Sequence, residues 1–471
     1  MLNTTVCPDG CHHQPCRVCG SYLDRVIRKD QKPRVAVIGG GVGGVTTSYL
    51  LEGVCEVEIF EARSKVGGHC DSQTINYEGQ QITVDLGAQF FHSATHPLYV
   101  TLLEELGIYD PENRATDQTL DAPGSLCMFK LANLWPVFSS TYPLLTPFAS
   151  RDFATYVREA RQVILQNKSW EITLEQWIED LPVSKGFKDT CLFPWLSVAI
   201  GCTRANAARS SARSILQSFA LAFPEKLTQK VTTMNSKLGT GGNLQCALDH
   251  SPTARVHLNA PIMALSFSKD GWTLLSPVGS HGPFDAIVIN APPSESKHLL
   301  KPLAWASDLV SLLETYEYFD ARILIHTDAR YAYRGKRLWA VYNGGIDGNE
   351  CEGSVWYGRI HPKLPSGARV DIFKSFATRR RHDPKDILCE RVFRHPLITP
   401  GVVRAARALN RFQGRNNLYF VGNQTTGMDL QEAAVYSALK VAEALAPQSA
   451  SLASFLKRLV QRGRIGICYD P

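Results

Sequence analysis

The chain of 471 residues lacks any apolar run long enough to cross a membrane, since no stretch approaches the ~20 uninterrupted apolar residues that a spanning helix needs. Residues 1–32 are polar and rich in cysteine, and they lack the apolar core of a secretory signal. No run of Lys and Arg is long enough to indicate nucleic-acid binding, and the net charge is only +6. These absences favour a cytoplasmic protein without a transmembrane segment and without a nucleic-acid partner.

Internal repeats and long low-complexity linkers are also absent. The composition is 44% hydrophobic and 20% charged, which is typical of a globular protein with a large core. The length suffices for two domains. In a reducing compartment most of the 13 cysteines are expected to be buried thiols.

A glycine-rich turn follows the first apolar segment. Residues 35–38, Val-Ala-Val-Ile, predict a buried parallel strand. The turn after it contains Gly43 and satisfies G-x-G-x-x-G at Gly39, Gly41 and Gly44. Such glycines permit a tight turn, a close approach of backbone to a pyrophosphate, and close packing of a helix on a strand.

The segments after the glycines agree with a nucleotide site. Residues 45–50 predict a helix whose N-terminal amides would face the phosphates. A second strand, residues 57–60, ends at Glu61, where a carboxylate is expected to accept hydrogen bonds from an adenosine ribose. A glycine turn without a nucleotide is the alternative interpretation. The strand, helix and acid together favour a dinucleotide site.

Two further motifs resemble those of the flavin-containing amine oxidase superfamily. Residues 61–69, Glu-Ala-Arg-Ser-Lys-Val-Gly-Gly-His, resemble its E-x-R-x-x-x-G-G-[RH] signature, and residues 84–91, Val-Asp-Leu-Gly-Ala-Gln-Phe-Phe, resemble its D-x-G-A loop. The likeness is nearest to the branch of predicted NAD/FAD-binding proteins, which carry Gly-Gly-His. Polyunsaturated fatty acid isomerases and phytoene-desaturase-like enzymes share this plan. The resemblance implies FAD, bound non-covalently.

The resemblance also implies the residues that contact FAD. Arg63 would lie beside the adenosine and pyrophosphate, and the main chain of Val256 would receive the adenine. Gly422 and Asn423 would contact the pyrophosphate or ribityl chain, although many family members have an acid in place of Asn423. Amides around Gln431 would face the N1 and O2 edge of the flavin. The other implied contacts are Gly67, Gly68, His69, Gly87, Ala88, Gln89 and Phe90.

The expected fold class is α/β, with a Rossmann-type FAD-binding domain interleaved with a mixed α+β substrate-capping domain. The FAD-binding domain is predicted to comprise residues 33–105, 238–300 and 400–447. Residues 106–237, within which the pattern from 108 onward is mostly helical, and residues 301–399 would form the capping domain. The remaining segments are a Cys-rich extension, 1–32, and a basic tail, 448–471.

Two histidines are candidate catalytic residues. His69 would lie near the flavin, where a protonated or hydrogen-bonding imidazole stabilises negative charge on the reduced ring. His92, just after the D-x-G-A loop, is a candidate general base. For both, simple packing of the loop is the alternative interpretation.

Four cysteines lie within the Cys-rich extension: Cys7, Cys11, Cys16 and Cys19. Clustered thiolates suit Zn(II) or an iron–sulfur cluster. A redox C-x-x-C pair or a plain extension are the alternatives.

Two apolar segments remain. Residues 134–138, Leu-Trp-Pro-Val-Phe, together with Tyr142, Leu144, Leu145 and Phe148, are expected to pack in the core, and a pocket for a hydrophobic substrate is the alternative. The end of the chain predicts a short basic amphipathic helix, expected to dock on the protein itself.

The function these motifs favour is FAD-dependent oxidation of a C–N or C–C bond of a small organic substrate. Hydride would pass to flavin N5, and O2 or another acceptor would take the electrons. A redox-neutral double-bond isomerase or desaturase of a hydrophobic substrate is the first alternative. A non-catalytic nucleotide-binding scaffold is the second.

Overall fold

The structure, a computed structural model, describes residues 32–113, 115–223, 231–463 and 467–471. Its strands are β1 Arg34–Ile38, β2 Glu56–Phe60, β3 Ser72–Tyr77, β4 Gln80–Asp85, β5 Thr119–Pro123, β6 Leu126–Lys130, β7 Pro136–Ser139, β8 Thr232–Ser236, β9 Arg255–His257, β10 Ala264–Ser268, β11 Gly271–Ser276, β12 Gly279–Phe284, β13 Ala286–Ile289, β14 Tyr318–His326, β15 Tyr342–Asp347, β16 Glu350–Trp356, β17 Phe373–Phe376, β18 Ile387–Pro396 and β19 Leu418–Phe420.

The α-helices in the same ranges are α1 Val42–Leu51, α2 Pro97–Glu105, α3 Pro147–Leu165, α4 Leu174–Asp180, α5 Lys185–Phe187, α6 Phe193–Ala199, α7 Arg204–Arg209, α8 Ala212–Gln217, α9 Gly239–Asp249, α10 Pro293–Leu300, α11 Ser307–Leu313, α12 Pro400–Leu409, α13 Gln431–Leu445 and α14 Ala450–Arg462. Among the described residues, none of the helices has the length and apolarity that crossing a membrane requires.

A five-stranded parallel sheet in the order β19-β13-β1-β2-β9 forms one half of the fold. Its central strand is an apolar run because helices cover both faces of such a sheet; Val35, Ala36 and Val37 have no exposed surface. Helices α1 and α13 pack closely on each other beside the sheet. The strands come from three distant parts of the chain, and they include both strands predicted at residues 35–38 and 57–60.

A seven-stranded mixed sheet in the order β18-β14-β17-β16-β15-β6-β7 forms the second half, together with helices α3 to α8. The α/β fold class with an added mixed α+β part is therefore confirmed. The prediction that residues 108–237 are mostly helical is wrong in part, because β5, β6, β7 and β8 lie in that segment. β5 pairs with β8 and β6 pairs with β15, both far away in the chain, and a window of neighbouring residues carries no information about such pairing. β7 pairs with the preceding strand β6 in a short hairpin.

The aromatic segment around residue 140 is largely on the surface. Leu144 is 91% exposed and Phe148 84% exposed, and Trp135, Tyr142 and Leu145 are also exposed. The expectation that these five side chains pack in the core is wrong. Phe138 alone of the larger side chains in residues 134–148 is buried, because β7 turns it towards α3.

The C-terminal helix α14 docks on the body of the protein. Its apolar face buries Leu452, Phe455 and Leu459, and it packs on α1 and α2. On the polar side Arg458 pairs with Glu105 of α2. The predicted amphipathic helix is confirmed, and its apolar face is covered within the chain.

Substitution of Phe455 tests how much this docking stabilises the fold. Phe455 has no exposed surface, so Phe455→Ala leaves a cavity and is expected to lower the free energy of unfolding by about 3–5 kcal/mol. Val460 on the same helix is 68% exposed, so Val460→Ala is expected to change it by less than about 0.5 kcal/mol. Denaturant unfolding of both variants measures this difference, and equal values would show that α14 does not stabilise the body.

Candidate functional site

A cavity of ≈ 1710 Å³ lies between the two halves of the fold. One part of its wall consists of the loops at the carboxyl ends of the parallel strands β1, β2, β13 and β19. The other part comes from the seven-stranded sheet and from helices α3, α6 and α8. Ligands of open parallel sheets bind at the carboxyl ends of the strands, so the cavity occupies the expected place.

The turn after β1 approaches its surroundings too closely for side chains. Gly39 has φ +104°, and its N–H donates to the carbonyl of Phe60 at 2.9 Å. A Cβ on Gly44 would lie 2.2 Å from the Gly39 carbonyl oxygen, and a Cβ on Gly43 would lie 3.1 Å from the amide nitrogen of Gly422. The motif therefore brings the turn after β1 against the turn after β19, and a ligand that crosses this point contacts bare backbone.

Glu61 holds this turn from the end of β2. One carboxylate oxygen accepts from the N–H of Gly40 at 2.8 Å, and the other accepts from the N–H of Arg63 at 2.9 Å. The side chain is buried, and it lines the cavity. A carboxylate oxygen has a second lone pair, so Glu61 retains capacity for a hydroxyl donor.

The two motifs that follow Glu61 pack on each other. Gly67, with φ +138°, donates its N–H to the Gly40 carbonyl at 2.8 Å. Ala88 donates to the His69 carbonyl at 2.8 Å, and a Cβ on Gly87 would lie only 1.8 Å from that oxygen. Glycine is required at residue 87 because the D-x-G-A loop lies directly against the Gly-Gly-His segment.

Asp85, the acid of the D-x-G-A motif, anchors the loop. Its buried carboxylate accepts from Ser72 Oγ at 2.6 Å and from the N–H of Thr240 at 2.9 Å, at the start of α9. The loop is also joined to α13, because Gln431 Nε2 donates to the Phe90 carbonyl at 3.1 Å.

The structure brings most of the predicted cofactor residues to the cavity wall. Those that line it are Gly39, Gly41, Gly43, Glu61, Arg63, Gly67, Gly68, His69, Gly87, Ala88, Gln89, Phe90, Gly422, Asn423 and Gln431. Gly44 lies beneath the turn, at the contact of α1 with β1. Val256 pairs with Ile59 in the sheet and is 37% exposed, and the cavity wall nearby comes instead from residues 260–263.

Lys374 is a cavity residue that no motif in the sequence predicts. It lies on β17, is only 6% exposed, and its Nζ donates to the Gly87 carbonyl at 2.5 Å. Burial lowers the pKa of Lys374 to about 8, although Asp85 acts in the opposite direction. A lysine flanked by Phe373 and Phe376 was the sequence signal for a buried amine.

His69 lies in the cavity wall as a neutral imidazole. Burial, followed by the nearby charge of His395, lowers the pKa of His69 to about 4. The imidazole is therefore uncharged at pH 7, and this environment fits a hydrogen-bonding ring rather than a protonated one.

His69 adjoins a cluster of polar side chains. The rings of His69 and His395 are 4.9 Å apart, and His395 Nδ1 is 3.1 Å from a carboxylate oxygen of Asp429. Asn423 donates to the other oxygen of Asp429. Although burial acts to raise it, the hydrogen bonds from His395 and Asn423 and the nearby histidine charges hold the pKa of Asp429 below its usual range. A carboxylate thus lies beside Asn423, where the family more often has an acid.

His92 has a local structural contact. Its Nδ1 accepts from the N–H of Ala94 at 3.0 Å, which organises the turn before α2. Burial lowers the pKa of His92, so the ring is neutral. The ring also lines the cavity.

Away from the glycine turns the cavity is bounded by a continuous row of aromatic rings, here called the aromatic wall. Neighbouring ring centroids are 4.5 to 6.2 Å apart along the row. The row runs in the order Phe90, Tyr342, Trp195, Phe219, Phe223, Phe153 and Phe138. Such a surface suits an apolar ligand.

The four cysteines predicted to bind a metal, Cys7, Cys11, Cys16 and Cys19, lie outside the described residues. Within the described ranges, no group of three or more His, Cys, Asp or Glu side chains is arranged to hold a metal ion. Zinc or iron–sulfur binding at the four cysteines stays a prediction.

The parallel sheet, glycine turn and terminal acid, opening on one cavity with the D-x-G-A loop, define a dinucleotide-binding fold of the Rossmann type. The family model described as "Flavin containing amine oxidoreductase" matches residues 43–320. The chain therefore belongs to the flavin-containing amine oxidoreductase family.

Known proteins show the same relationship. The chain is 39% identical over 84 residues to tryptophan 2-monooxygenase of Allorhizobium ampelinum, a match that covers 17% of this chain and 11% of that protein. It is 25% identical over 294 residues to coproporphyrinogen III oxidase of Mycobacterium tuberculosis, covering 57% and 61% respectively. The chain thus spans only part of the length of these relatives. The structure of a CLA-producing fatty acid isomerase from P. acnes has the same fold at 14% identity, with a TM-score of 0.62 over 88% of this chain and 99% of that one.

Proposed function

We propose that the enzyme oxidises a C–N or C–C bond in an apolar organic substrate held along the aromatic wall. The observation that supports this most is that one cavity joins the glycine turns to the aromatic wall, with Lys374 and Phe90 at the junction. A substrate on the aromatic wall is thereby brought to the D-x-G-A loop. The small organic substrate, O2 or another electron acceptor, and a cytoplasmic location are parts of the same proposal.

The residues present fit FAD. The turns after β1 and β19 lie so close together that a Cβ on Gly43 would be 3.1 Å from the amide nitrogen of Gly422. The two turns therefore form a cradle of bare backbone that suits a pyrophosphate. In this proposal the Glu61 carboxylate accepts hydrogen bonds from the adenosine ribose. Gln431, the first residue of α13, joins that helix to the D-x-G-A loop through its hydrogen bond to Phe90. We propose that segments 33–105, 238–300 and 400–447 hold the cofactor, and that segments 106–237 and 301–399 enclose the substrate.

FAD, when bound, supplies a hydride acceptor. The chain contributes placement, exclusion of water and proton exchange. The aromatic wall excludes water from the reacting bond. Lys374 Nζ, with a pKa of about 8, exchanges a proton near neutral pH while its hydrogen bond fixes the Gly87 carbonyl. Neutral His69, beside His395, offers a hydrogen bond without adding charge.

A second candidate function is redox-neutral isomerisation or desaturation of a hydrophobic substrate. The aromatic wall favours it to the same degree, because an unsaturated chain fits that surface as well as an amine does. A scaffold without activity is disfavoured by family membership and by the buried lysine at the junction.

Two measurements on the purified protein test the proposal. We expect absorption bands near ~370 and ~450 nm that move to the filtrate after denaturation, which establishes non-covalent flavin. Anaerobic mixing with amines, amino acids and unsaturated carboxylates is then expected to bleach the ~450 nm band with one class of substrate.

The outcomes separate the alternatives. Bleaching that reverses in air with peroxide formation identifies an oxidase, and bleaching that reverses only with an added acceptor identifies a dehydrogenase. A shifted double bond in the product without net bleaching identifies the isomerase. A protein that remains colourless after incubation with FAD would overturn the cofactor assignment.

A further inference from the structure

Arg359 is a cation in the cavity wall that has no acidic partner. Its Nε donates to the Trp339 carbonyl at 2.6 Å. Within the described part of the chain, neither terminal nitrogen of Arg359 has a hydrogen-bond acceptor and no carboxylate forms an ion pair with it. By contrast, Arg379 and Arg380, which follow β17, pair with Glu350 and Glu352 of β16.

The surroundings of Arg359 disfavour its charge. Burial, and then the second cation Arg369, lower the pKa of Arg359. Arg369 itself donates to the Gly358 carbonyl at 2.6 Å, so two guanidinium groups are held on the same short segment. A half-buried cation without a counter-ion is destabilising. Such an arrangement is typical of a site whose partner is an anionic ligand.

Arg359 lies in the cavity wall near Tyr142. Tyr142, which is 43% exposed, is close enough to act on the charge of Arg359. Tyr142 follows β7, and β7 carries Phe138, the last ring of the aromatic wall. The first ring, Phe90, lies in the D-x-G-A loop at the other end, beside buried Lys374. The aromatic wall therefore extends from the loop beside Lys374 towards the segment that lies near Arg359.

We propose that the substrate is an amphipathic carboxylate whose carboxylate binds the terminal nitrogens of Arg359 and whose apolar body extends along the aromatic wall towards the D-x-G-A loop. A guanidinium presents two parallel N–H donors that match the two oxygens of a carboxylate. The inference rests on the proposed function, because it names the substrate class for the same cavity. Arg359 is in this scheme a specificity-determining residue that contacts the substrate at a distance from the reacting bond.

Binding of unreactive probes to the FAD-bound protein tests the inference. Decanoate and decanol share the apolar chain and differ at the head group, and isothermal titration calorimetry gives the affinity of each. Wild type is expected to bind decanoate about 10- to 100-fold more tightly than decanol, as a charge-assisted pair provides. Arg359→Met is expected to remove this preference and leave decanol binding unchanged.

Two further variants complete the test. Arg151 is exposed and follows the cavity residue Ser150, so Arg151→Met removes one positive charge near the cavity and is expected to leave decanoate binding unchanged. Arg359→Lys is expected to retain part of the preference, and it serves if Arg359→Met fails to fold. Equal affinity of wild type for decanoate and decanol would overturn the inference. So would a preference for decanoate that is unchanged in Arg359→Met, or a decanoate affinity that falls equally in Arg151→Met and Arg359→Met.

The probe assay is independent of turnover. Decanoate is saturated and has no C–N bond, so its binding does not depend on turnover, and the comparison with Arg359→Met separates Arg359 from Lys374, another cation of the cavity wall. Failure of the proposed function would appear as an absence of flavin reduction and of double-bond shift in the substrate panel. Failure of the present inference would appear as head-group-independent binding.

Discussion

A Lys374→Met variant is expected to convert substrate at least ~100-fold more slowly than wild type, because a positioned group that exchanges a proton contributes about 10²–10⁴ in rate. Methionine retains an unbranched apolar side chain of similar size but removes the amine that donates to the Gly87 carbonyl. Stopped-flow measurement of flavin bleaching with the substrate found in the panel gives the rate. For the redox-neutral alternative the rate of product formation replaces it.

The pH profile separates proton exchange from a packing effect. Since burial lowers the pKa of Lys374 to about 8, the wild-type rate is expected to rise with pH through that value as the neutral amine forms. The rise should be missing in Lys374→Met and present in Lys363→Met, which changes an exposed lysine. A retained transition near pH 8 in Lys374→Met would contradict the assignment.

Stability gives a second measure of the same lysine without any substrate. The pKa of Lys374 is about 8 in the folded protein, and the ordinary pKa of a lysine side chain is 10.5, so between these values the unfolded chain binds more protons than the folded one. The free energy of unfolding of wild type therefore rises with pH over this window, relative to Lys374→Met. A constant difference between the two proteins across the window would show that Lys374 is not desolvated.

A Glu61→Gln variant is expected to bind FAD about 10- to 100-fold more weakly. The carboxylate accepts two backbone N–H groups, and an amide nitrogen would face one of these donors without an acceptor. Hydrogen bonds to a charged group contribute roughly 1.5–3 kcal/mol. Titration of the apoprotein with FAD, followed by flavin fluorescence, measures the affinity.

The matched control lies on the same strand. Glu56, at the exposed start of β2, is expected to tolerate Glu56→Gln without a change in FAD affinity. Thermal unfolding of the apoproteins checks that Glu61→Gln still folds. Undiminished affinity in a folded Glu61→Gln protein would remove Glu61 from the cofactor site.

Much of the parallel sheet was predictable from local patterns. The apolar runs 35–38 and 286–289 are strands because a parallel sheet buries both faces, and each run ends in a turn residue. β10 and β11 likewise form a hairpin around the turn at Asp270. Patterns of this kind need only the nearest neighbours in the chain.

The capping part was predicted less well. β6 pairs in parallel with β15, more than two hundred residues later in the chain, so its strand state depends on a partner that no local window contains. Leu144 and Phe148 were expected in the core because they are apolar, but they lie on the surface. Hydrophobicity predicts that burial is favourable, and it does not determine which side chains the fold can cover.

The candidate site also contains residues that the sequence indicates and residues that only the structure reveals. Gly39, Glu61 and Gly87 are recognisable in the sequence because their roles need fixed residue types at fixed spacings. Lys374 and Arg359 belong to no motif, and their chemistry comes from what surrounds them: burial and the Gly87 carbonyl for one, and the absence of an acid among the described residues for the other.

By itself, then, the sequence determined the glycine turn and the superfamily, because a tight turn, a close approach of backbone and a carboxylate that accepts from two backbone N–H groups each restrict the residue at one position. Only the tertiary structure decided which side chains share the cavity. It brought Phe90 and Phe138 into one aromatic wall, and it placed Lys374 and Arg359 in the wall of the same cavity. The reason is physical: burial and electrostatic environment arise from contacts between segments far apart in the chain.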